Sequence, residues 1–189
     1  DYGYSIEKTY DGGYIVSGTT CNDEDKKDIL LLRLDAAGDT LWTRNIGSTH
    51  NDESYCVKQC RDSGFVIAGY KSNGSGNMDF YIIKTHNNGT INWTRTYGGT
   101  LNEGSYSIIQ TMDDGFAVCG YTGSYGAGAK DMQLLKYDDD GYMMWQKTYG
   151  GNFDEIAYAL LQTEDSVYFI AGTSKSFNNN TLNDVYCVR

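Results

Sequence analysis

Hydrophobic and polar positions alternate along this chain in short runs that recur in register. The first run, Tyr4-Ser5-Ile6-Glu7-Lys8-Thr9, is matched by Tyr55 to Cys60, Tyr106 to Thr111 and Tyr158 to Thr163. A second, Tyr14-Ile15-Val16-Ser17-Gly18, returns as Phe65 to Gly69, Phe116 to Gly120 and Tyr168 to Gly172. The third runs from Ile29 to Leu34, Phe80 to Thr85, Met132 to Tyr137 and Val185 to Arg189, and the fourth surrounds Trp42, Trp93 and Trp145. Runs of this length predict strands, and no stretch carries a helical period. The third run is almost continuously apolar in its first copy, which predicts a strand covered on both faces.

Turn formers separate the runs. Asp11-Gly12-Gly13 and Asp113-Asp114-Gly115 follow the first run, and their Asp-Gly pairs are expected to supply the positive φ of a hairpin turn. Asp35-Ala36-Ala37-Gly38, Asn87-Asn88-Gly89 and Asp138-Asp139-Asp140-Gly141 precede the fourth run. Trp42, Trp93 and Trp145 lie 51 and 52 residues apart, in phase with Gly18, Gly69, Gly120 and Gly172 and with Asp28, Asp79, Asp131 and Asp184. Four antiparallel strands repeated at this period predict an all-β fold, a four-bladed β-propeller whose blades stack around an axis. The chain then forms one domain, 1–189, with repeats of about 51 residues near 1–51, 52–102, 103–154 and 155–189. A closed four-bladed ring, its fourth blade one strand short, is the expected form, with part of a larger ring completed elsewhere as the alternative.

Composition supports a packed core and narrows the partners. Hydrophobic residues make up 40% of the 189 positions, which suffices to bury a core. Aromatics reach 14%, led by 17 Tyr, a strand-favouring residue with a polar tip. A formal charge of −10 opposes nucleic acid and anionic membrane as partners. No apolar run approaches the ~20 residues needed to span a bilayer, so no membrane insertion is expected. The chain opens at Asp1 within what already reads as a repeat; a secreted protein would have lost its leader. Proline is absent, where average usage would give about nine; paired strands tolerate few.

The stretch Thr96-Tyr97-Gly98-Gly99, with Tyr106-Ser107-Ile108-Ile109-Gln110-Thr111 and Asp114-Gly115-Phe116-Ala117-Val118-Cys119-Gly120, resembles a known tandem pattern. That pattern, TYGG…SIxQTxDGGYIVAG…DxLLKLDxxGxxxW, belongs to repeats of secreted and surface proteins, mostly of bacteria and archaea. The resemblance covers essentially the whole chain and implies a propeller, an extracellular address and no catalytic residues. Locally, Leu34-Asp35-Ala36-Ala37-Gly38-Asp39-Thr40-Leu41-Trp42 is similar to the docking motif of pyrroloquinoline-quinone dehydrogenase propellers. That motif packs blades together without binding the quinone, and no cofactor is expected here.

Candidate chemistry is sparse. The five cysteines, Cys21, Cys56, Cys60, Cys119 and Cys187, show no CxxC pair and no zinc spacing. Cys119 stands where other copies have Ser17, Ala68 and Ala171, and Cys187 where they have Leu31, Ile82 and Leu134. Both are therefore expected to be small buried hydrophobes. Cys21 follows a strand while Cys56 and Cys60 bracket another, and one disulfide from Cys21 to either Cys56 or Cys60 fits that layout. His50 and His86 sit beside turn residues, and no Ser-His-Asp or Cys-His arrangement can be assembled.

Asp1, Asp52, Glu103 and Glu155 recur three residues before each first-run Tyr. With Asp28, Asp79, Asp131 and Asp184 they form two series of carboxylates. The plain expectation is that they fix turns through bonds to the backbone. The sharper one is a calcium site in a central channel, because hard cations take clustered oxygens. Asp138-Asp139-Asp140-Gly141 lacks further spaced ligands and reads as a turn. Asn73, Asn88, Asn92 and Asn179 head Asn-x-Ser/Thr sequons in or next to predicted loops, where a glycan fits.

The first three runs occur four times but the Trp-bearing fourth only three times, so fifteen strands are visible where a ring needs sixteen: either the chain continues beyond these residues or one blade has an open edge. An open edge is a template for strand addition, and head-to-tail contacts propagate into filaments. The expectation is a non-enzymatic, extracellular structural and interaction module, self-associating or joining a surface assembly or filament. The alternative is a carbohydrate-binding, lectin-like propeller in which Tyr and Trp stack on glycans.

Overall fold

The computed structural model describes residues 1–21, 26–177 and 183–189, in which fifteen strands and no helix are found. Sheet 1 comprises β1 (Tyr2–Lys8), β2 (Tyr14–Cys21), β3 (Lys27–Leu34) and β4 (Thr40–Ile46). Sheet 2 comprises β5 (Asp52–Gln59), β6 (Phe65–Ser72), β7 (Met78–Thr85) and β8 (Ile91–Tyr97), and sheet 3 comprises β9 (Glu103–Gln110), β10 (Phe116–Thr122), β11 (Asp131–Tyr137) and β12 (Met143–Tyr149). Sheet 4 holds β13 (Glu155–Gln162), β14 (Tyr168–Ser174) and β15 (Asp184–Val188). Within each sheet the strands lie in chain order and every pairing is antiparallel, as short hairpin connections dictate.

The same irregularity interrupts every first strand. Register shifts fall between Gly3 and Ser5, Ser54 and Cys56, Ser105 and Ser107, and Ala157 and Ala159. The unpaired residue in each is the recurrent tyrosine: Tyr4, Tyr55, Tyr106 or Tyr158. A bulge of this kind bends the strand and re-aims one side chain. It also explains the in-phase glycines. A Cβ on Gly18, Gly69, Gly120 or Gly172 would collide with the carbonyl oxygen of Tyr2, Glu53, Gly104 or Ile156.

The first turn departs from the expected chemistry. The left-handed residue is Gly12 (φ 89°) in the first copy, but Ser63 (65°), Asp114 (64°) and Ser166 (63°) in the others. Gly115 therefore does not supply the positive φ. Gly13, Gly64 and Gly115 serve a close approach instead. The long cation of the third strand, Arg33, Lys84 or Lys136, lies over them, and a Cβ would strike it and a neighbouring carbonyl oxygen. Each cation ends on the turn carboxylate: Arg33 Nη2 on Asp11 (2.5 Å), Lys84 Nζ on Asp62 (2.6 Å) and Lys136 Nζ on Asp113 (3.0 Å). In the second turn the positive φ falls on the glycines, Gly38, Gly89 and Gly141.

The sheets pack face to face in succession, 1 on 2, 2 on 3 and 3 on 4. Between sheets 1 and 2, Ile15, Ile29, Leu31 and Ile46 meet Val57, Phe65, Ile67, Tyr81 and Ile83. Equivalent residues form the next two layers, so one apolar interface is used three times. Each Trp fastens its sheet to the next. Trp42 packs edge-on against Phe65 (6.0 Å between centroids), Trp93 against Phe116 (5.5 Å) and Trp145 against Tyr168 (5.6 Å). Gly89 and Gly141 lie against Trp42 and Trp93 so closely that a Cβ would clash with the indole.

Polar bonds repeat at the same junctions. The N–H groups of Tyr10, Arg61 and Met112 donate to Gln59, Gln110 and Gln162 of the following sheet (2.7, 2.8 and 2.9 Å). Those of Lys27 and Met78 donate to Asn51 and Asn102 (both 3.0 Å).

Sheets 1 and 4 pack on one side only, and no closed ring is formed by the described residues. Ile6 is 65% exposed although its counterpart Val57 is fully buried, and Val185 is 85% exposed although Ile29, Phe80 and Met132 are fully buried. The expectation that β3 is covered on both faces is corrected: Ile29 and Leu31 are buried, whereas Leu30, Leu32 and Leu34 are only half-buried. Likewise Cys119 is a buried small hydrophobe, but Cys187 is exposed, because among the described residues no sheet packs on its face of sheet 4.

Candidate functional site

The bulges bring four tyrosines into one row. Tyr4, Tyr55, Tyr106 and Tyr158 follow one another with ring centroids 5.1, 5.1 and 5.2 Å apart, tilted by 54°, 52° and 42°. Tyr4 and Tyr158 are exposed, while Tyr55 and Tyr106 are half-buried. Tyr70 and Tyr121 flank the middle of the row, each about 6.1 Å from its neighbour. The ladder crosses all four sheets and comes from first strands alone. Sequence reading missed it, although Tyr and Gly shared the repeat phase; only the backbone register reveals that the Tyr is the bulged residue.

One carboxylate anchors the row at Tyr55 and its flank at Tyr70. Glu53, buried, accepts from Tyr55 (3.1 Å) and Tyr70 (2.5 Å) and pairs with Lys27 Nζ at 2.6 Å. Burial acts to raise its pKa, but the bonds from Lys27 and Tyr70 outweigh it and hold the carboxyl below its ordinary 4.5. Burial pushes the Tyr106 phenol up to about 12, with Tyr121, Tyr158 and Glu53 adding to it, and Tyr55 and Tyr70 also rise. The phenols are neutral hydrogen-bond donors at physiological pH, not nucleophiles.

The two acidic series meet in pairs across the sheet junctions. A Cβ on Gly98 would touch both Asp79 and Glu103, and one on Gly150 both Asp131 and Glu155. Glu103 accepts from the N–H of Gly99 (2.8 Å) and of Ser124 (3.0 Å), and Glu155 from the N–H of Gly151 (2.6 Å). Glu103 and Glu155 thus fix loops through backbone bonds, whereas buried carboxylate oxygens of Asp28, Asp52 and Asp79 have no hydrogen-bond partner among the described residues. Burial raises the pKa of Asp79 and of Asp131, and the neighbouring glutamate charge adds to the rise. Asp52 is raised in the same way, by burial first and then in part by Asp28. Among the described residues no three His, Cys, Asp or Glu side chains converge as a metal site would require.

The remaining candidates lie apart. All five cysteines are free thiols: Cys21 is exposed at the end of β2, while Cys56 and Cys60 are buried between sheets 2 and 3. The expected disulfide from Cys21 to Cys56 or Cys60 is thus not formed in this structure. Burial pushes the Cys60 thiol up to about 12 and raises Cys56 and Cys119 as well, which suppresses their reactivity. His50 and His86 are exposed.

Asn73 Oδ1 accepts from the N–H groups of Ser75 and Asn77 (both 3.1 Å), and Asn88 Oδ1 from Thr90 (3.0 Å), so both sequon side chains fix turns. Asn92 is exposed near the start of strand β8, next to the turn that precedes it. Asn179 falls outside the described residues.

Beside β15 lies a cleft of about 290 Å³, lined chiefly by Trp145, Tyr149, Tyr168, Ile170 and Val188. In sheets 1 to 3 the third strand is flanked by the Trp-bearing strand; among the described residues the outer edge of β15 has no partner strand. Compared with known proteins, the chain matches no family model and no curated protein.

Proposed function

We propose that the four sheets are blades of a β-propeller-type array and that the chain is a non-enzymatic structural and interaction module of an extracellular or cell-surface assembly. It engages a protein partner by strand addition at the outer edge of β15. The observation that carries this reading is that edge, next to the apolar cleft formed by Trp145, Tyr149, Ile170 and Val188. A strand laid there recovers backbone hydrogen bonds and covers the cleft lining in one step. The repeat's resemblance to surface proteins and the exposed sequons Asn88 and Asn92 support the address.

A labelled peptide with the sequence of residues 142–149, Tyr-Met-Met-Trp-Gln-Lys-Thr-Tyr, tests it by fluorescence anisotropy. Saturable binding that a scrambled peptide does not reproduce is expected. Equal binding of the two, or of neither, sinks the edge mechanism.

The tyrosine row favours a second reading, carbohydrate binding, since aromatic faces with phenol donors stack on sugars and hydrogen-bond them. Selective glycan-array binding that disappears in Tyr4→Ala and Tyr158→Ala would carry that reading. Binding unchanged by both substitutions would remove it.

A further inference from the structure

The two uncovered sheet faces are the two halves of one interface. Every internal junction joins the trailing face of one sheet to the leading face of the next. On the trailing face of sheet 4, Phe169, Val185 and Cys187 occupy the places held by Val66, Phe80 and Ile82 at the junction of sheets 2 and 3. On the leading face of sheet 1, Ile6, Val16 and Leu32 occupy the places of Val57, Ile67 and Ile83 at the junction of sheets 1 and 2. The counterparts are all buried within the chain; Ile6 and Val185 are 65% and 85% exposed.

We propose that the trailing face of sheet 4 receives the leading face of sheet 1 from a second copy of this chain, a fourth use of the internal packing mode. Association is head to tail, through two different surfaces of the protomer.

Charge argues for the same pairing. At each internal junction a Gln of the following sheet accepts from a turn N–H of the preceding one, as Gln59 does from Tyr10. At the proposed junction the Gln position is Lys8 and the turn position is Glu164, both exposed. Opposite charges thus stand where the internal junctions hold a neutral hydrogen bond, and the same turn position already carries an ion pair to the following sheet at Arg61–Asp114. Lys8 cannot accept the bond that Gln makes, so its substitution is not a conservative drift within the repeat; it suits a carboxylate opposite.

The inference rests on the reading of the chain as an assembly module, but it uses sheet faces and not the β15 edge. Sedimentation velocity of the 189-residue chain from about 1 to 200 μM is expected to show concentration-dependent association. Ile6→Asp and Val185→Asp lie on surface positions and leave the fold intact, as circular dichroism will verify. Each variant alone is expected to sediment as a monomer throughout, because every copy has lost the same half. Their equimolar mixture is expected to give a 1:1 dimer and nothing larger, since one good half survives on each partner.

Lys8→Glu is expected to weaken wild-type association at least tenfold, and adding Glu164→Lys to the same chain is expected to restore it. A monomeric wild-type chain, association retained by either Asp variant, or a mixture that stays monomeric overturns the proposal. The peptide of residues 142–149 separates the two ideas. Peptide binding by a strictly monomeric chain keeps the edge reading and removes this one; association without peptide binding does the reverse.

Discussion

The four-fold repeat allows one substitution to be tested in several settings with everything else nearly constant. Ile29, Phe80, Met132 and Val185 hold the same position in successive sheets, and the first three are fully buried while Val185 is 85% exposed. Phe80 packs edge-on against Tyr97 at 6.2 Å within the layer between sheets 2 and 3. Its replacement by Ala removes buried aromatic surface and leaves a cavity, a loss of about 3–5 kcal/mol. Ile29→Ala and Met132→Ala are expected to cost about 2–5 kcal/mol each. Full burial of a Val is worth roughly 2 kcal/mol, so the small buried fraction of Val185 corresponds to about 0.3 kcal/mol.

Urea unfolding near 1 μM, where association between copies is minimised, measures the series. Far-UV circular dichroism and Trp fluorescence should be followed separately, because stacked repeats need not unfold in one step. A loss for Val185→Ala comparable to that for Ile29→Ala would refute the reasoning. It would mean that sheet 4 is covered within the single chain, as a closed ring demands.

Three other outcomes follow from local geometry. Gly69→Ala drives a Cβ into the Glu53 carbonyl oxygen across the bulge and is expected to cost about 2 kcal/mol or more, whereas Gly74→Ala, with open space around it, should fall within about 0.5 kcal/mol of wild type in the same urea titration. Lys84→Met removes bonds to Asp62 (2.6 Å) and to the Thr85 carbonyl oxygen (3.0 Å), at an expected cost of about 1–2 kcal/mol because Asp62 is largely in water. Burial acts to raise the Asp62 pKa, but the Lys84 bond, the Gly64 N–H and the Lys84 charge together lower it below 3.8. The stabilisation is therefore present above pH 3.8 and lost as pH falls through the folded value, so the gap between wild type and Lys84→Met should close in acid melts. Asp79 carries the opposite sign: burial, then the Glu103 charge, raises its pKa above 3.8. Its protonated form stabilises the fold below that pH and the benefit disappears as pH rises through the folded value; Asp79→Asn should melt higher than wild type at pH 7 and show no gain near pH 3.

Strands and their pairing order were legible because short apolar-rich runs recur in register and most connections are short turns, which leaves antiparallel neighbours as the simple solution. Turn chemistry was legible only in part. Gly115 looked like a positive-φ residue, yet like Gly13 and Gly64 it makes room for a third-strand cation, Arg33, Lys84 or Lys136, whose path over the hairpin depends on a partner two strands away. The tyrosine row was hidden for a similar reason. A repeated Tyr signals a role, but its displacement from the ladder of backbone bonds depends on how β1, β5, β9 and β13 register with their neighbours.

Exposure of the end faces was the least legible feature, because Val16, Leu32, Phe169 and Val185 continue the pattern of their buried counterparts. A residue's own type does not reveal whether another sheet covers it.

That persistence separates two kinds of surface. The outer strands β4, β8 and β12 are rich in Thr, Asn, Gln, Arg and Lys, and Arg44, Arg95 and Lys147 stand on them at equivalent positions. Charged residues on an edge strand oppose adventitious pairing. The outer faces of sheets 1 and 4 have no such protection. Ile6, Leu161, Phe169 and Val185 remain apolar and exposed where a single substitution each would have made the face polar. Apolar β-surface left in water is a liability for solubility unless something covers it. Under the proposed head-to-tail pairing the apolar end faces, with Lys8 on one and Glu164 on the other, meet another sheet, while the polarised edges β4, β8 and β12 meet water.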